Sequence, residues 1–222
     1  MPPAARRNPA QIADQRVSLP TGTVDRIHQG YVMDLVAQEV DLGAGGKVRR
    51  EYIQHPGAVA VVALDAQEQV VLLRQYRHPV RSYLWEVPAG LLDVAGEDLR
   101  TAGERELAEE ADLRAGQWHT LADFYTSPGG SDEAIRIFLA RDLAPVPADE
   151  RHQRQFEELD MPTTRVPLSE ALQAVMEGRI HNPSTVTGIL AADLARQRDF
   201  TGLRPAGAPW LPRTGPDPTA EQ

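Results

Sequence analysis

The order of elements along the chain predicts an α+β fold, a sandwich with helices on both sides of a mixed β-sheet. Strand-like runs come first, one helix follows, further strands come next, and two helices complete the order. With 222 residues, of which 41% are hydrophobic, the chain is long enough to bury one ample core. We therefore expect one main domain with an appendage.

Two hairpins are predicted in the first third of the chain. Residues 31–41 and 48–55 are strand-like runs around a glycine-rich turn at 43–46, which predicts a hairpin in an N-terminal antiparallel sheet. The apolar runs AVAVVAL at 58–64 and QVVLLRQY at 69–76 are separated only by DAQE. This spacing predicts a second hairpin, and continuous apolar runs are typical of buried strands.

Two further strands are predicted later in the chain, AIRIFLA at 134–140 and TRVPL at 164–168. From Arg204 onward the sequence is rich in proline and glycine, which favours a flexible tail. We therefore expect three parts. They are a flexible N-terminus with an N-terminal β-sheet region at 1–55, a main domain at 56–203 and the tail at 204–222.

Two helices are predicted near the C-terminus from their capping residues. Ser169 is a candidate N-cap for a helix that continues to about Glu177. Asn182 followed by Pro183 is a good N-cap and first-turn pair for a helix that continues to about Arg198.

Charge and cysteine content exclude several classes of protein. The net charge is −9, with 32 acidic and 23 basic residues, which argues against a protein that grips nucleic acid through its phosphates. The chain has no cysteine, so disulfides, thiolate nucleophiles and cysteine-bound zinc are excluded. No segment has the apolar length of a signal sequence or a membrane span. We expect a cytoplasmic protein that does not bind membranes.

The segment EDLRTAGERELAEEADL, from Glu97 to Leu113, carries the strongest functional signal. In a helix, Glu106, Glu109 and Glu110 would lie at positions i, i+3 and i+4 on one side. Like charges at this spacing repel by a few tenths of a kcal/mol per pair, and a solvated helix has no need of that cost. Clustered carboxylate oxygens suit Mg²⁺ or Mn²⁺. The alternative is an exposed, acidic amphipathic helix.

Residues 90–113 resemble the Nudix box, the phosphohydrolase signature G-x5-E-x7-R-E-U-x-E-E-x-G-U, in which U is aliphatic. The positions in register are Gly90, Glu97, Arg105, Glu106, Leu107, Glu109, Glu110 and Leu113. Two positions depart from the signature, because six residues separate Gly90 from Glu97 and Asp112 replaces a glycine. A loop absorbs the extra residue at little cost, and aspartate tolerates the left-handed backbone of a helix end. The resemblance implies a Nudix α/β/α sandwich.

Three other segments, LWEVPAGLLD, FYTSPGGSDE and MEGRIHNPST, resemble the ADP-ribose pyrophosphatase branch of that superfamily. The resemblance implies hydrolysis of ADP-ribose to AMP and ribose 5-phosphate with Mg²⁺, or Mn²⁺ as a substitute. It also implies a homodimer whose N-terminal sheet packs across the two-fold axis. The alternatives are a pyrophosphatase for another nucleotide sugar or dinucleotide, such as GDP-mannose, and a module that senses ADP-ribose without cleaving it.

Carried over to this sequence, the resemblance makes Glu106 and Glu110 metal ligands. Glu109 becomes a ligand or a close support with a catalytic role, and the backbone carbonyl of Ala89 becomes a further ligand. Arg105 is expected to pair with a carboxylate of the box and orient it, because a planar guanidinium can hold a carboxylate bidentately.

The remaining expected roles concern the base and the substrate. The branch often places its general base in a loop after the box, where this chain offers Glu157 and Glu158 as equal candidates. Arg50 and Arg77 match positions of substrate-contacting arginines, although a surface salt bridge explains either one equally well.

Three weaker candidates accompany these arginines. Glu51 is a weaker substrate contact. Gly129, in the loop SPGGSDE, permits close approach of the backbone to a ligand, but the loop is equally a simple turn. We expect Trp85 to belong to the core rather than to an adenine platform.

Overall fold

A mixed five-stranded sheet lies at the centre of the molecule, in a computed structural model that describes residues 12–153 and 161–210. The strands are β1 (Thr21–Gln29), β2 (Asp34–Asp41), β3 (Lys47–Gln54), β4 (Ala58–Ala63), β5 (Gln69–Arg77), β6 (Ser82–Glu86), β7 (Ala89–Leu91), β8 (Leu113–Tyr125), β9 (Ala134–Pro145), β10 (Thr163–Pro167) and β11 (Arg204–Pro205). The helices are α1 (Leu99–Ala111), α2 (Leu168–Met176) and α3 (Pro183–Arg196).

The central sheet has the strand order β11-β8-β9-β4-β7. Strands β4 and β9 are parallel, and the other pairs are antiparallel. Two three-stranded antiparallel sheets accompany it, with the orders β10-β5-β6 and β1-β2-β3. The fold is therefore α+β, and the N-terminal antiparallel sheet is present as expected.

The alternation of side chains along β4 explains the layers. Successive residues of a strand point to opposite faces, and β4 is buried on both. Val59 and Val61 belong to the core on the side of α1, together with Leu107, whereas Ala60 and Val62 belong to the core on the side of α2 and α3. The predicted sandwich with helices on both sides of a mixed sheet is confirmed.

The second predicted hairpin is only partly correct. The turn exists, since Asp65 N–H donates to the Gln69 carbonyl at 3.0 Å and Leu64 pairs with Val70. The strands then separate, because β4 pairs with β7 and β9, whereas β5 pairs with β6 and β10 in another sheet. Strand β8, which spans 13 residues, was not predicted.

The N-terminal sheet contacts the rest of the chain at the end of β3. Ile53 N–H donates to the Gly130 carbonyl at 2.9 Å, and Asp132 N–H donates to the Ile53 carbonyl at 3.1 Å. The Asp132 carboxylate also accepts from His55 N–H at 2.8 Å. The predicted hairpin of β2 and β3 is confirmed, and β1 adds an exposed strand to its edge.

The helix caps agree with the sequence in two of three helices. The Asn182 side chain accepts from Thr185 N–H at 2.9 Å at the start of α3. Asp112 ends α1 in the left-handed conformation with φ of 55°, as expected for the residue that replaces a glycine. The expected cap of α2 is wrong. Pro167 occupies that position and Ser169 lies inside the helix, because the turn from β10 leads directly into it.

Residues 204–210 are held against the central sheet, contrary to the expected flexible tail. The side chain of Arg136, 1% exposed, donates to the Ala208 and Pro209 carbonyls at 2.7 Å and pairs with Asp123 at 2.8 Å. Arg204 pairs with the same aspartate at 2.7 Å. Residues 211–222 lie outside the described part of the chain. Among residues 12–153 and 161–210, no helix is long and apolar enough to cross a membrane.

We expect Arg136→Met to lower the free energy of unfolding by about 3–5 kcal/mol, because it leaves a buried carboxylate without its main partner and removes two bonds to the C-terminal segment. Arg114→Met is the matched control, since the Arg114–Glu150 pair is more than half exposed on both sides. That change should cost less than about 1 kcal/mol. Urea unfolding measures both, and equal losses would contradict the role of Arg136.

Candidate active site

Helix α1 carries the acidic cluster on its buried side. Its N-cap is Asp98, whose carboxylate accepts from Arg100 N–H and Thr101 N–H at 3.0 and 3.2 Å. Glu106 and Glu110 are only 8% and 9% exposed. A helix that served merely as a solvated acidic surface would keep these carboxylates in water, because burying a charge is costly. The exposed-helix alternative is therefore wrong.

Two glycines allow α1 to lie close to the central sheet. A Cβ on Gly90, in β7, would overlap the carboxylate of Glu106. A Cβ on Gly103 would lie 3.2 Å from Phe138 and 3.4 Å from Trp118. The glycine that opens the sequence motif is thus required by the approach of a carboxylate rather than by a backbone angle.

The backbone of Ala89 meets the third glutamate. Ala89 N–H donates to Glu110 Oε2 at 2.9 Å. Ala89 faces Ala60 in the antiparallel β4–β7 pair, at a position between the hydrogen-bonded pairs formed by the neighbouring residues. Its N–H and carbonyl therefore both point away from β4, on the side where Glu110 lies.

The pKa of Glu110 is raised to about 8, mainly by burial and also by the nearby Glu106, although the Ala89 hydrogen bond opposes the shift. Burial also raises the pKa of Glu106, against the lowering effect of Arg105. Both shifts show that negative charge is costly at this place without a further positive partner.

Arg105 braces the cluster as expected. Its guanidinium contacts both oxygens of Glu97 at 3.1 Å, Glu106 Oε1 at 2.5 Å and Glu109 Oε2 at 3.2 Å. The pairing with Glu97 is bidentate, which fixes the plane of the guanidinium. One arginine thus links the loop before α1 to two carboxylates on the helix.

The donor set fits a hard divalent cation. Carboxylate oxygens and a backbone carbonyl are the donors that Mg²⁺ and Mn²⁺ prefer, and a cation would relieve the charge buried at Glu106 and Glu110. Across residues 12–153 and 161–210, no three acidic or histidine side chains stand close enough to share one ion. Arg105 occupies oxygens of Glu106 and Glu109, so a cation would compete with it.

Arg77 lies beside this cluster and pairs with a glutamate. Its guanidinium binds Glu86 bidentately, at 2.9 Å and 2.6 Å, across the β5–β6 pair. Glu86 is 2% exposed, whereas the Arg77 side chain is 42% exposed. Arg77 lowers the pKa of Glu110, so its charge reaches the acidic cluster. Sequence reasoning did not single out Glu86, although it lies in the segment LWEVPAGLLD.

The other expected substrate residues lie on the N-terminal sheet and the loop that it contacts. Arg50 and Glu51 are exposed on β3, three and two residues before the bonds that join Ile53 to that loop. Gly129 is exposed in the loop, and nothing lies within 4 Å of a Cβ placed there. The structure therefore brings Gly129 near β3, while open space remains around it.

Two expectations about catalysis and recognition have different outcomes. Glu157 and Glu158, the candidate bases, lie outside the described residues, so their role stays a prediction. Trp85 packs against the core on the side of α2 and α3, as expected, and Arg74 lies 6.0 Å from the centre of its ring.

The sequence profile of the NUDIX domain matches residues 54–183, more than half of the chain. The chain belongs to the Nudix family. It is 41% identical over 189 residues to an ADP-ribose pyrophosphatase of Mycobacterium tuberculosis, covering 85% of this chain and 89% of that protein. An ADP-ribose pyrophosphatase of Bacillus subtilis is 33% identical, with 74% and 87% covered.

A crystal structure of an ADP compounds hydrolase has the same fold, with a TM-score of 0.64 over 84% of this chain and 98% of that one, at 20% identity. Nudix hydrolases generally use divalent metal ions.

The longer Nudix-box loop of this chain is closed by a turn, in which Glu97 N–H donates to the Val94 carbonyl at 3.2 Å and Gly96 has φ of 78°.

We expect Gly90→Ala to weaken Mn²⁺ binding by about 10–100-fold, because the added methyl displaces the Glu106 carboxylate. Gly207→Ala is the matched control, since nothing lies within 4 Å of a Cβ at that position. Titration of each variant with Mn²⁺, followed by the electron paramagnetic resonance signal of the free ion, gives both affinities. Wild-type affinity in Gly90→Ala would show that the position of Glu106 is unimportant for the metal.

Proposed function

We propose that this protein is a Mg²⁺-dependent pyrophosphohydrolase that cleaves ADP-ribose to AMP and ribose 5-phosphate. The observation that carries the proposal is the pair of buried carboxylates, Glu106 and Glu110, held against β7 by Gly90 and Ala89 and braced by Arg105. Membership of the Nudix family and the similarity to two ADP-ribose pyrophosphatases support the substrate.

In this proposal Glu106, Glu110 and the Ala89 carbonyl hold the metal, and Glu109 is a ligand or a close support. When bound there, Mg²⁺ would neutralise charge on the diphosphate and would make the attacking water more acidic. The water oxygen forms a new bond to phosphorus, and the bridging P–O bond breaks, so that each product keeps one phosphate. Arg105 keeps the carboxylates in place during this step.

The diphosphate would lie beside Arg77, whose half-exposed guanidinium is fixed by Glu86 and has the planar geometry that suits phosphate oxygens. Arg50, Glu51 and Gly129 are proposed to contact the remainder of the substrate from β3 and its neighbouring loop. The base that accepts the proton of water is proposed to be Glu157 or Glu158.

The proposal includes a homodimer formed through the N-terminal sheet. Three apolar residues of β1 and the turn that follows it support this part of the proposal, since Val24, Ile27 and Tyr31 are 46%, 48% and 105% exposed. Large apolar side chains exposed together on one small sheet favour an interface. The proposed location is the cytoplasm, which the absence of cysteine favours.

A substrate panel tests the proposed reaction. ADP-ribose, GDP-mannose, NADH, diadenosine polyphosphates and coenzyme A are each incubated with the protein and Mg²⁺, and the products are identified by mass. We expect AMP and ribose 5-phosphate from ADP-ribose at the highest kcat/KM, and no product when Mg²⁺ is chelated. Preferred cleavage of another member would overturn the substrate, and metal-dependent binding without cleavage would favour the sensing module.

We expect Glu110→Gln to lower kcat by at least about a hundredfold, because it removes a negative ligand while it keeps the shape of the side chain. The amide can still accept from Ala89 N–H, so the metal-free protein should unfold at a temperature close to that of the wild type. Glu104→Gln is the matched control, since Glu104 pairs with Arg100 on the exposed side of α1. Retained activity in Glu110→Gln would contradict the metal assignment.

Metal binding provides a second measure of the same change. A ligand that binds only the folded state raises its stability in proportion to the logarithm of its concentration. Mg²⁺ should therefore raise the Tm of the wild type and of Glu104→Gln. The rise in the Tm of Glu110→Gln should be much smaller.

A further inference from the structure

Four consecutive residues, from the end of β6 to the start of β7, are each held by a different element. The Glu86 side chain is held by Arg77 of β5, and Ala89 N–H is held by Glu110 of α1. The Pro88 carbonyl accepts from Val61 N–H of β4 at 2.8 Å. The fourth residue, Val87, is held by α3, and no part of the proposed function depends on that helix.

The contact with α3 is a directed chain of hydrogen bonds. Val87 N–H donates to the hydroxyl of Thr185 at 3.0 Å, and this hydroxyl donates to Asn182 Oδ1 at 3.1 Å. Because the hydroxyl of Thr185 donates its proton to Asn182, a lone pair of the hydroxyl oxygen accepts the hydrogen bond from Val87 N–H. Val87 and Thr185 are 1% and 0% exposed, so water is not available to replace this acceptor.

The hydrogen bond between Val87 and Thr185 can influence the metal site because it lies only two residues before Ala89. Residue 88 is a proline and has no N–H, so Val87 supplies the last backbone donor before Ala89. A buried N–H without an acceptor is costly, and a segment that loses its acceptor therefore tends to move. A movement at Val87 would shift the Ala89 carbonyl and the donor to Glu110 only two residues away.

We propose that Thr185 is a positioning residue for the metal site, acting through Val87 to fix the backbone of Ala89. This inference rests on the proposed function, which makes Ala89 and Glu110 metal ligands. It assigns to the segment MEGRIHNPST a role in the active site, because Asn182 orients the threonine hydroxyl. Helix α3, which packs on the opposite face of the central sheet from α1, thus aligns a ligand that lies beside α1.

Substitution of Thr185 separates this role from helix capping. Thr185 N–H also donates to Asn182 at 2.9 Å, and that bond is made by the backbone. Thr185→Val keeps the backbone bond and the shape of the side chain but removes the hydroxyl, whereas Thr185→Ser keeps the hydroxyl. Thr120→Val is the matched control, since Thr120 is 1% exposed and its hydroxyl donates to the Pro205 carbonyl at 2.9 Å, away from the metal site.

The decisive experiment measures Mn²⁺ affinity of the full-length wild type and the three variants by electron paramagnetic resonance, with Tm as a measure of stability. We expect Thr185→Val to raise the Kd for Mn²⁺ about tenfold, the size of effect seen when an outer-shell partner of a metal ligand is removed. Thr185→Ser and Thr120→Val should stay within about twofold of the wild type. Both valine variants should show a lower Tm.

A wild-type Kd in Thr185→Val, with a lower Tm alone, would overturn the inference, since the hydroxyl would then be merely structural. An equal rise of the Kd in Thr120→Val would also overturn it, because any loss of stability would then weaken the metal. Failure of the wild type to cleave ADP-ribose would overturn the proposed substrate alone, since the order of the four Kd values decides the role of Thr185.

Discussion

Two carboxylates buried on the inner side of one helix impose the constraint on which the remaining structure depends. Glu106 and Glu110 are nine-tenths buried, and burial raises the pKa of both. The surrounding chain compensates for them with the guanidinium of Arg105, the N–H of Ala89 and the missing side chain of Gly90. The contacts of Ala89 and Gly90 with these carboxylates require α1 and β7 to lie close together. The packing of the helix against the sheet therefore also determines the geometry of the site.

The central sheet brings α1 and β7 close together, and helices pack on both of its faces. Strand β4 places valines under α1 and packs its alternate side chains towards α2 and α3, so the two helical layers share one rigid support. The short segment from Glu86 to Ala89 lies beside β4 and is held by β5, α3, β4 and α1 in turn. A segment held at four successive residues, three of them through the backbone, can present a carbonyl in a defined place, which a mobile loop cannot do.

The sequence predicted what depends on local spacing and missed what depends on distant pairing. The face of α1 follows from helical periodicity, and the left-handed Asp112 follows from its place at a helix end. Arg77 was expected at the substrate, but its bidentate partner Glu86 is set by the β5–β6 register. Thr185 and Val87 are 98 residues apart, and no local pattern marks their bond. The order in residues 204–210 depends likewise on Arg136, a charge hidden inside an apolar strand.

Anomalous diffraction from a crystal grown with Mn²⁺ and a non-hydrolysable analogue of ADP-ribose tests the central claim most directly. The account predicts Mn²⁺ peaks between the diphosphate and the carboxylates of Glu106 and Glu110, with the Ala89 carbonyl at ligand distance. Arg105 should have given up at least one of its present contacts with the cluster. Mn²⁺ bound elsewhere, or a diphosphate far from α1, would contradict the account.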